Sequence, residues 1–374
     1  MSQVPPKSTV LSVQFLRALA ALAVVFYHCN SEGNGYGFAQ TGGWGVDVFF
    51  VISGFIVARM IGFSTVGFIG KRVRRIVPLY YLATLAMIAA TVVLGSRVNT
   101  TEVTPGGTVL SALFVPYEMS SRGGPILEVG WTLEYEMFFY LVIGVMLLLT
   151  RSAKGAIIGT AALLTGLALS GYLVPSSSYL LSFYQSDLFF EFLFGVGLWF
   201  VYLALRDRNP VSGWGSHLVG SASVVVIVLS VVVLVAADTR WHYDGLHLRF
   251  LVYGVPALAV VAAGLALEHR IPSNRLTAGL VEVGDASYAM YLFHSFVILF
   301  ISRLLFDDLL STAGVPVRLI LLLVAVAATV VASVVIHRYV DQPLQRLLRR
   351  VLARRRPAAV PAPEAPRPAP AEVP

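Results

Sequence analysis

Apolar stretches about twenty residues long recur along the whole chain, and that spacing leaves few folds open to it. A helix needs about 20 apolar residues to cross the ~30 Å hydrocarbon core of a bilayer. Backbone in lipid must satisfy its own hydrogen bonds, so such stretches become helices. Ten can be marked, near 10–28, 44–62, 76–95, 132–150 and 156–174, then 186–205, 218–237, 249–267, 284–305 and 317–338. Composition points the same way, with 57% of residues hydrophobic and 13% charged, against about 25% charged in a soluble domain. The expectation is an all-α, polytopic membrane helix bundle with about ten transmembrane helices. The first stretch is interrupted by Arg17 and lacks a small-residue cleavage site, so it reads as a spanning helix rather than a leader.

The net charge of +7 would suit nucleic acid or an anionic surface, and its distribution decides for the membrane. With the N-terminus placed in the cytoplasm, 19 basic residues fall in inner segments and six in outer ones, alternating loop by loop. Both termini are therefore expected in the cytoplasm, and no nucleic-acid partner is expected. Residues 1–350 read as one transmembrane domain. Residues 351–374 read as a basic, then Pro/Ala-rich, disordered cytoplasmic tail. The longest connection, 96–130, falls outside, where long loops are often functional.

Charged and polar groups inside the apolar bulk are the candidates for function. Arg17 lies mid-helix and His28 closes the same helix eleven residues later. Eleven steps of 100° bring both to one face, ~16 Å apart along the axis. An arginine at that depth costs roughly 2.5–3.5 kcal/mol on insertion scales, so it generally faces a partner or a wet cavity. A structural ion pair or a snorkelling arginine is the alternative. Glu134 and Glu136, in Trp131-Thr132-Leu133-Glu134-Tyr135-Glu136, are two positions apart and point to different sides of a helix. Trp44 and Asp47 stand at the outer mouth, before a Ser53-Gly54 pair suited to close packing. His294 sits mid-segment and needs a polar partner. Lys71, Arg72, Arg74 and Arg75 form the tightest internal basic cluster, explained either by the positive-inside bias or by a phosphate-bearing ligand. His242, Asp244 and His247 match no standard metal spacing, and Cys29 has no activating neighbour in the sequence, so no metal and no thiol nucleophile is expected.

Arg17 through His28, Gly45 to Phe55, Lys71 to Tyr80, Trp131 to Tyr140, Ser287 to His294 and the closing Asp341-Gln342-Pro343 follow one another in a fixed order. In that order they resemble the acyltransferase-3 family of integral membrane O-acyltransferases. The resemblance runs to about Arg350. Two positions depart from it: Glu134 stands where a small polar residue is commoner, and Asp341 where glutamate is. No further domain follows the last segment, so the similarity is to stand-alone members. Those typically acylate sugars of exported polysaccharides, and some modify antibiotics.

The resemblance implies transfer of an acyl group, most commonly acetyl, from acyl-coenzyme A to a hydroxyl of a carbohydrate acceptor. His28 is then the general base, since imidazole titrates near neutral pH. Glu136 orients or charge-stabilises that imidazole, and Arg17 meets the donor or developing negative charge. Lys71, Arg72, Arg74 and Arg75 hold coenzyme A phosphates, and Trp44, Asp47, Trp131, Glu134 and His294 contact substrate. A proton-coupled secondary transporter would also keep Arg, His and Glu in the membrane. An acyltransferase acting on a macrolide-like small molecule is a further alternative.

Overall fold

Every one of the apolar stretches folds as a helix. A computed structural model of the chain describes residues 10–31, 36–63, 65, 67–95, 98, 102–118, 124–206, 214–240 and 248–354. Lys7, Arg97, Arg122, Arg208, His242, Asp244, His247 and the tail beyond 354 lie outside the described residues. The long helices are α1 (Leu11–Cys29), α2 (Gly45–Phe63), α3 (Phe68–Leu94), α5 (Trp131–Thr150), α6 (Ala153–Leu173), α8 (Phe189–Arg206), α9 (Trp214–Arg240) and α14 (Val315–Ile336). Shorter ones are α4 (Pro105–Ala112), α7 (Tyr179–Tyr184), α10 (Val255–Ala266), α11 (Arg275–Asp285), α12 (Ser287–Ile298), α13 (Asp307–Thr312) and α15 (Gln342–Arg354). No β-strand occurs among the described residues.

Nine helical stretches among the described residues are long and apolar enough to cross a membrane. The segment expected at 249–267 is a shorter apolar helix, Phe250–Ala266, whose first turn is π-helical over Phe250–Gly254. Helix α3 starts eight residues before the expected 76, which puts Lys71, Arg72, Arg74 and Arg75 in its first two turns. Lysine and arginine are good helix formers with long apolar stems, so the helix continues through them into the interfacial region. The described part of the 96–130 connection is packed against the bundle. It holds α4 and a 3-10 turn at Glu128–Gly130, and it buries Ile126, Leu127 and Val129. Ser111 Oγ accepts from the Ile126 N–H at 3.0 Å, and the Tyr80 hydroxyl donates to the Ser111 carbonyl at 3.2 Å, fastening this cap to α3.

Helices α1 and α2 form the centre. Helix α1 packs on α2, α10, α11, α12 and α14, and α2 is buried along most of its length between α1 and α8. At the periphery, α9 exposes Val224, Val225, Leu229, Val232 and Val233, an apolar face for lipid. The α2–α8 crossing is set by two glycines. A Cβ on Gly54 would strike the Phe192 carbonyl oxygen, and one on Gly195 would strike the Val51 carbonyl oxygen. Only backbone against backbone fits there, which is how membrane helices gain contact where lipid removes the hydrophobic drive between them.

Two polar devices fix the ends of the bundle. Val10, at the N-cap of α1, offers no side-chain acceptor, and Glu268 supplies it instead, accepting from Leu11 N at 2.8 Å and Ser12 N at 2.7 Å. A carboxylate on those unsatisfied amides also complements the helix dipole. At the other end Arg249 Nη2 donates to both Asp47 oxygens, at 2.8 and 2.9 Å, with Asp47 fully buried. Glu191, also fully buried, faces the same pair. This ties the π-helical turn before α10 to α2 and α8. The end carrying the start of α3 and helix α15 is the basic end below; the end carrying Asp47 is the far end.

Candidate active site

A cavity of about 120 Å³ opens inside the bundle, walled by α1, α2, α3, α5 and α12. Arg17 enters it from α1, Arg72 and Arg75 from α3, and Glu136 from α5. Ser53 and Tyr140 complete its polar wall. Lining residues on α2 run from Val46 to Ile56, so at 1.5 Å per residue the cavity follows the bundle axis for ~15 Å. Three guanidinium groups against one carboxylate make it a cationic space enclosed by apolar walls, suited to an anionic ligand.

Helical spacing explains which members of the basic cluster take part. Arg72 and Arg75 are three apart and turn to the cavity, whereas Lys71 is exposed and Arg74 folds its Nε back onto the Gly70 carbonyl at 3.0 Å. Arg72 touches the Met60 sulfur at 2.7 Å and lies over the Tyr140 ring, 5.1 Å from its centroid. Its buried Nε has no hydrogen-bond partner among the described residues. Much of its five-donor capacity is therefore unspent.

Glu136 is held in the cavity wall between α2 and α5. Its Oε1 accepts from Ser53 Oγ at 2.6 Å and from the Tyr140 hydroxyl, and Ser53 Oγ lies 2.9 Å from that same hydroxyl. The three groups close a triangle between α2 and α5. Ser53, read from sequence as a packing residue, is thus also a polar member of the wall. Glu134 turns away from the cavity. It is fully buried among Tyr80, Tyr117 and Tyr184, and neither oxygen has a hydrogen-bond partner among the described residues.

The partner ring of His28 is His294 of α12, with centroids 4.8 Å apart and planes tilted 44°. His294 is fully buried, and its Nδ1 lies 3.1 Å from the Met290 carbonyl oxygen. A carbonyl only accepts, so Nδ1 carries the hydrogen and Nε2 carries the lone pair. That Nε2 has no hydrogen-bond partner among the described residues. Tyr291 joins this pair to the cavity: it lines the cavity, and its ring lies 6.1 Å from His294 and 6.1 Å from Phe49. Its hydroxyl donates to the Val129 carbonyl at 2.8 Å and lies 2.6 Å from Thr132 Oγ1. Arg17 and His28 both turn toward α12, at its Ser287 end and at His294 respectively.

Of the other residues singled out from sequence, Trp131 is half-buried at the start of α5, edge-on to Tyr135 at 6.0 Å. Trp44 is buried outside the cavity wall. Asp47, expected to contact substrate, is instead engaged by Arg249 in the buried ion pair, because the chain turns its first helical residues inward against α8 and the π-helical turn. Tyr140 of α5 and Tyr288 and Tyr291 of α12 also line the cavity. Among the described residues no group of three or more His, Cys, Asp or Glu is arranged to hold a metal ion.

Comparison with known proteins bears on this geometry. The acyltransferase-3 family, described as an acyltransferase domain, matches residues 10–338. The chain is similar to the exopolysaccharide production protein ExoZ of Rhizobium meliloti (strain 1021), 31% identical over 331 residues, covering 87% of this chain and 95% of that protein. It is also similar to a Staphylococcus aureus (strain COL) protein named "Putative O-acetyltransferase SACOL0978", 26% identical over 361 residues and covering 88% of this chain. The match spans about half of that longer relative, 56% of its length. No solved structure matches the chain.

Proposed function

The chain belongs to the acyltransferase-3 family and is a membrane O-acyltransferase, and from that premise we propose that it moves an acyl group, acetyl first, from acyl-coenzyme A to a hydroxyl of a cell-surface or exported carbohydrate. One observation carries this reading: a cavity with Arg17, Arg72 and Arg75 on its wall runs from the basic end to Tyr291, beside the His28–His294 pair. The similarity to an exopolysaccharide production protein supports the carbohydrate acceptor.

The basic end faces the cytoplasm by the positive-inside bias, and the donor enters there. Its thioester arm lies along the cavity, past Arg17, and delivers the carbonyl carbon near His28, ~16 Å further on. The acceptor comes from the far end, where Trp131 offers a ring for sugar contact. His28 takes the proton of the acceptor hydroxyl, and the oxygen attacks the thioester carbonyl. The tetrahedral intermediate collapses with loss of the thiolate, which receives the proton from the imidazolium, giving ester and free coenzyme A. His294, held as the Nδ1–H tautomer, keeps its Nε2 lone pair available to the acceptor hydroxyl. Glu136 acts on the donor side, through Ser53 and Tyr140, by balancing the three guanidinium charges.

The test uses purified full-length protein in nanodiscs with radiolabelled acetyl-coenzyme A and a cell-envelope polysaccharide fraction. Label should move to the polysaccharide with wild type and stay on the donor with a folded His28→Ala. Wild-type protein that neither binds nor consumes the donor overturns the reading.

A further inference from the structure

A second cavity, an open cleft of about 330 Å³, lies at the basic end where α3 meets α15. Arg75 lines it as well as the first cavity. One side chain therefore borders both spaces. The opposite wall comes from α15, through Arg346 and Arg349, which are three residues apart and share a helix face. Asp285, the last residue of α11, is the carboxylate of the lining. His337 also borders it, and its Nδ1 bonds Asp341 Oδ2 at 2.9 Å.

That last contact makes the wall a built one. Gln345 Nε2 donates to Asp341 Oδ1 at 2.7 Å, and Gln342 Nε2 lies 3.1 Å from His337 Nε2. These bonds brace the π-helical segment His337–Asp341 against the first turn of α15 and aim its arginines across the gap at Arg75. Arg346 spends its Nε only on the Gln342 carbonyl, at 3.3 Å, and Arg349 has no hydrogen bond or ion pair among the described residues. Three guanidinium groups against one carboxylate, two of the three at an exposed rim, form the fork geometry that binds phosphate oxygens in pairs.

We propose that this cavity seats the phosphate-bearing nucleotide end of the acyl donor, an adenosine 3′,5′-bisphosphate group, clamped between Arg75 of α3 and Arg346 and Arg349 of α15. The assignment rests on the acyl-coenzyme A reading and deepens it: the nucleotide stays at the rim, and only the thioester arm passes Arg75 into the first cavity. Helix α15 is thereby a part of the donor site contributed from the far end of the sequence.

Adenosine 3′,5′-bisphosphate itself is the probe, titrated onto the full chain in nanodiscs of neutral phosphatidylcholine. Wild type should bind it saturably, with coenzyme A competing. R346Q/R349Q should weaken binding tenfold or more, and Arg275→Gln, which removes one exposed charge from the same end, should change it less than twofold. In transfer assays R346Q/R349Q should raise KM for acetyl-coenzyme A at least tenfold. Its use of S-acetyl-N-acetylcysteamine, a thioester without phosphates, should match wild type. No bisphosphate binding by wild type, or equal binding by R346Q/R349Q, overturns the assignment. So does loss of binding when phosphatidylglycerol is added, which would give the cavity to lipid headgroups. Acetyl transfer from coenzyme A that is indifferent to R346Q/R349Q sinks this inference and leaves the acyltransferase reading standing. Bisphosphate binding without any transfer sinks the donor reading and overturns with it the assignment of the cavity to the acyl donor.

Discussion

Removing the carboxylate of Asp47 should unfold this protein more readily than any change in the cavity, although Asp47 and Glu136 look alike in sequence. Asp47 is fully buried, and the Arg249 side chain is 8% exposed. Asp47→Leu therefore leaves a guanidinium in a membrane interior without the two oxygens that Nη2 now reaches. Breaking one side of such a pair costs about 3–5 kcal/mol, a hundredfold or more in the folding equilibrium at ~1.4 kcal/mol per tenfold. Arg249→Met leaves the Asp47 carboxylate beside Glu191 and should cost a similar amount. The double variant removes both charges together, and apolar replacement of a buried pair is commonly close to neutral. Unfolding of the four proteins in mixed micelles should give single variants 3–5 kcal/mol below wild type and a double variant within about 2 kcal/mol of it. A double variant as unstable as the sum of the singles would refute the coupling. A double variant that folds like wild type yet loses acyl transfer would refute the structural assignment of Asp47 and return it to the substrate site.

Within the basic cluster, Arg72→Gln and Arg75→Gln should each raise KM for acetyl-coenzyme A about tenfold or more, and Lys71→Gln less than threefold, because only the first two line the cavity; steady-state kinetics in nanodiscs decides it. Gly54→Leu should abolish the monodisperse folded form on size exclusion, since its Cβ meets the Phe192 carbonyl with no side chain to move aside. Tyr140→Phe removes one donor to Glu136 while Ser53 remains. It should cost about 1 kcal/mol in thermal unfolding, with a larger loss if the triangle acts as a unit. Glu268→Ala strips the cap from α1. Losing a cap costs about 1 kcal/mol, and hydrogen exchange of Leu11 and Ser12 should rise locally.

Fold class was legible from residue spacing because lipid leaves a spanning backbone one local solution. Twenty apolar residues make a helix whatever surrounds them, so segments such as 132–150 and 156–174 lie within a few residues of α5 and α6. Helix geometry likewise placed Arg17 and His28 on one face before any neighbour was known. What local pattern left open was the neighbour itself. Glu134 and Glu136 are indistinguishable by type and depth, and only the packing of α2 and α12 on α5 sends one into the cavity and the other among tyrosines. His28 lies against a histidine 266 positions away. Asp47, Glu268 and α15 are engaged across 202, 257 and some 270 positions. Periodicity and hydropathy act over a turn or a span, so the sequence by itself determined helices, their number and the charges they carry inward. Which charges meet depends on helix crossings, set by close contacts such as Gly54 against α8, and that only the tertiary structure decided.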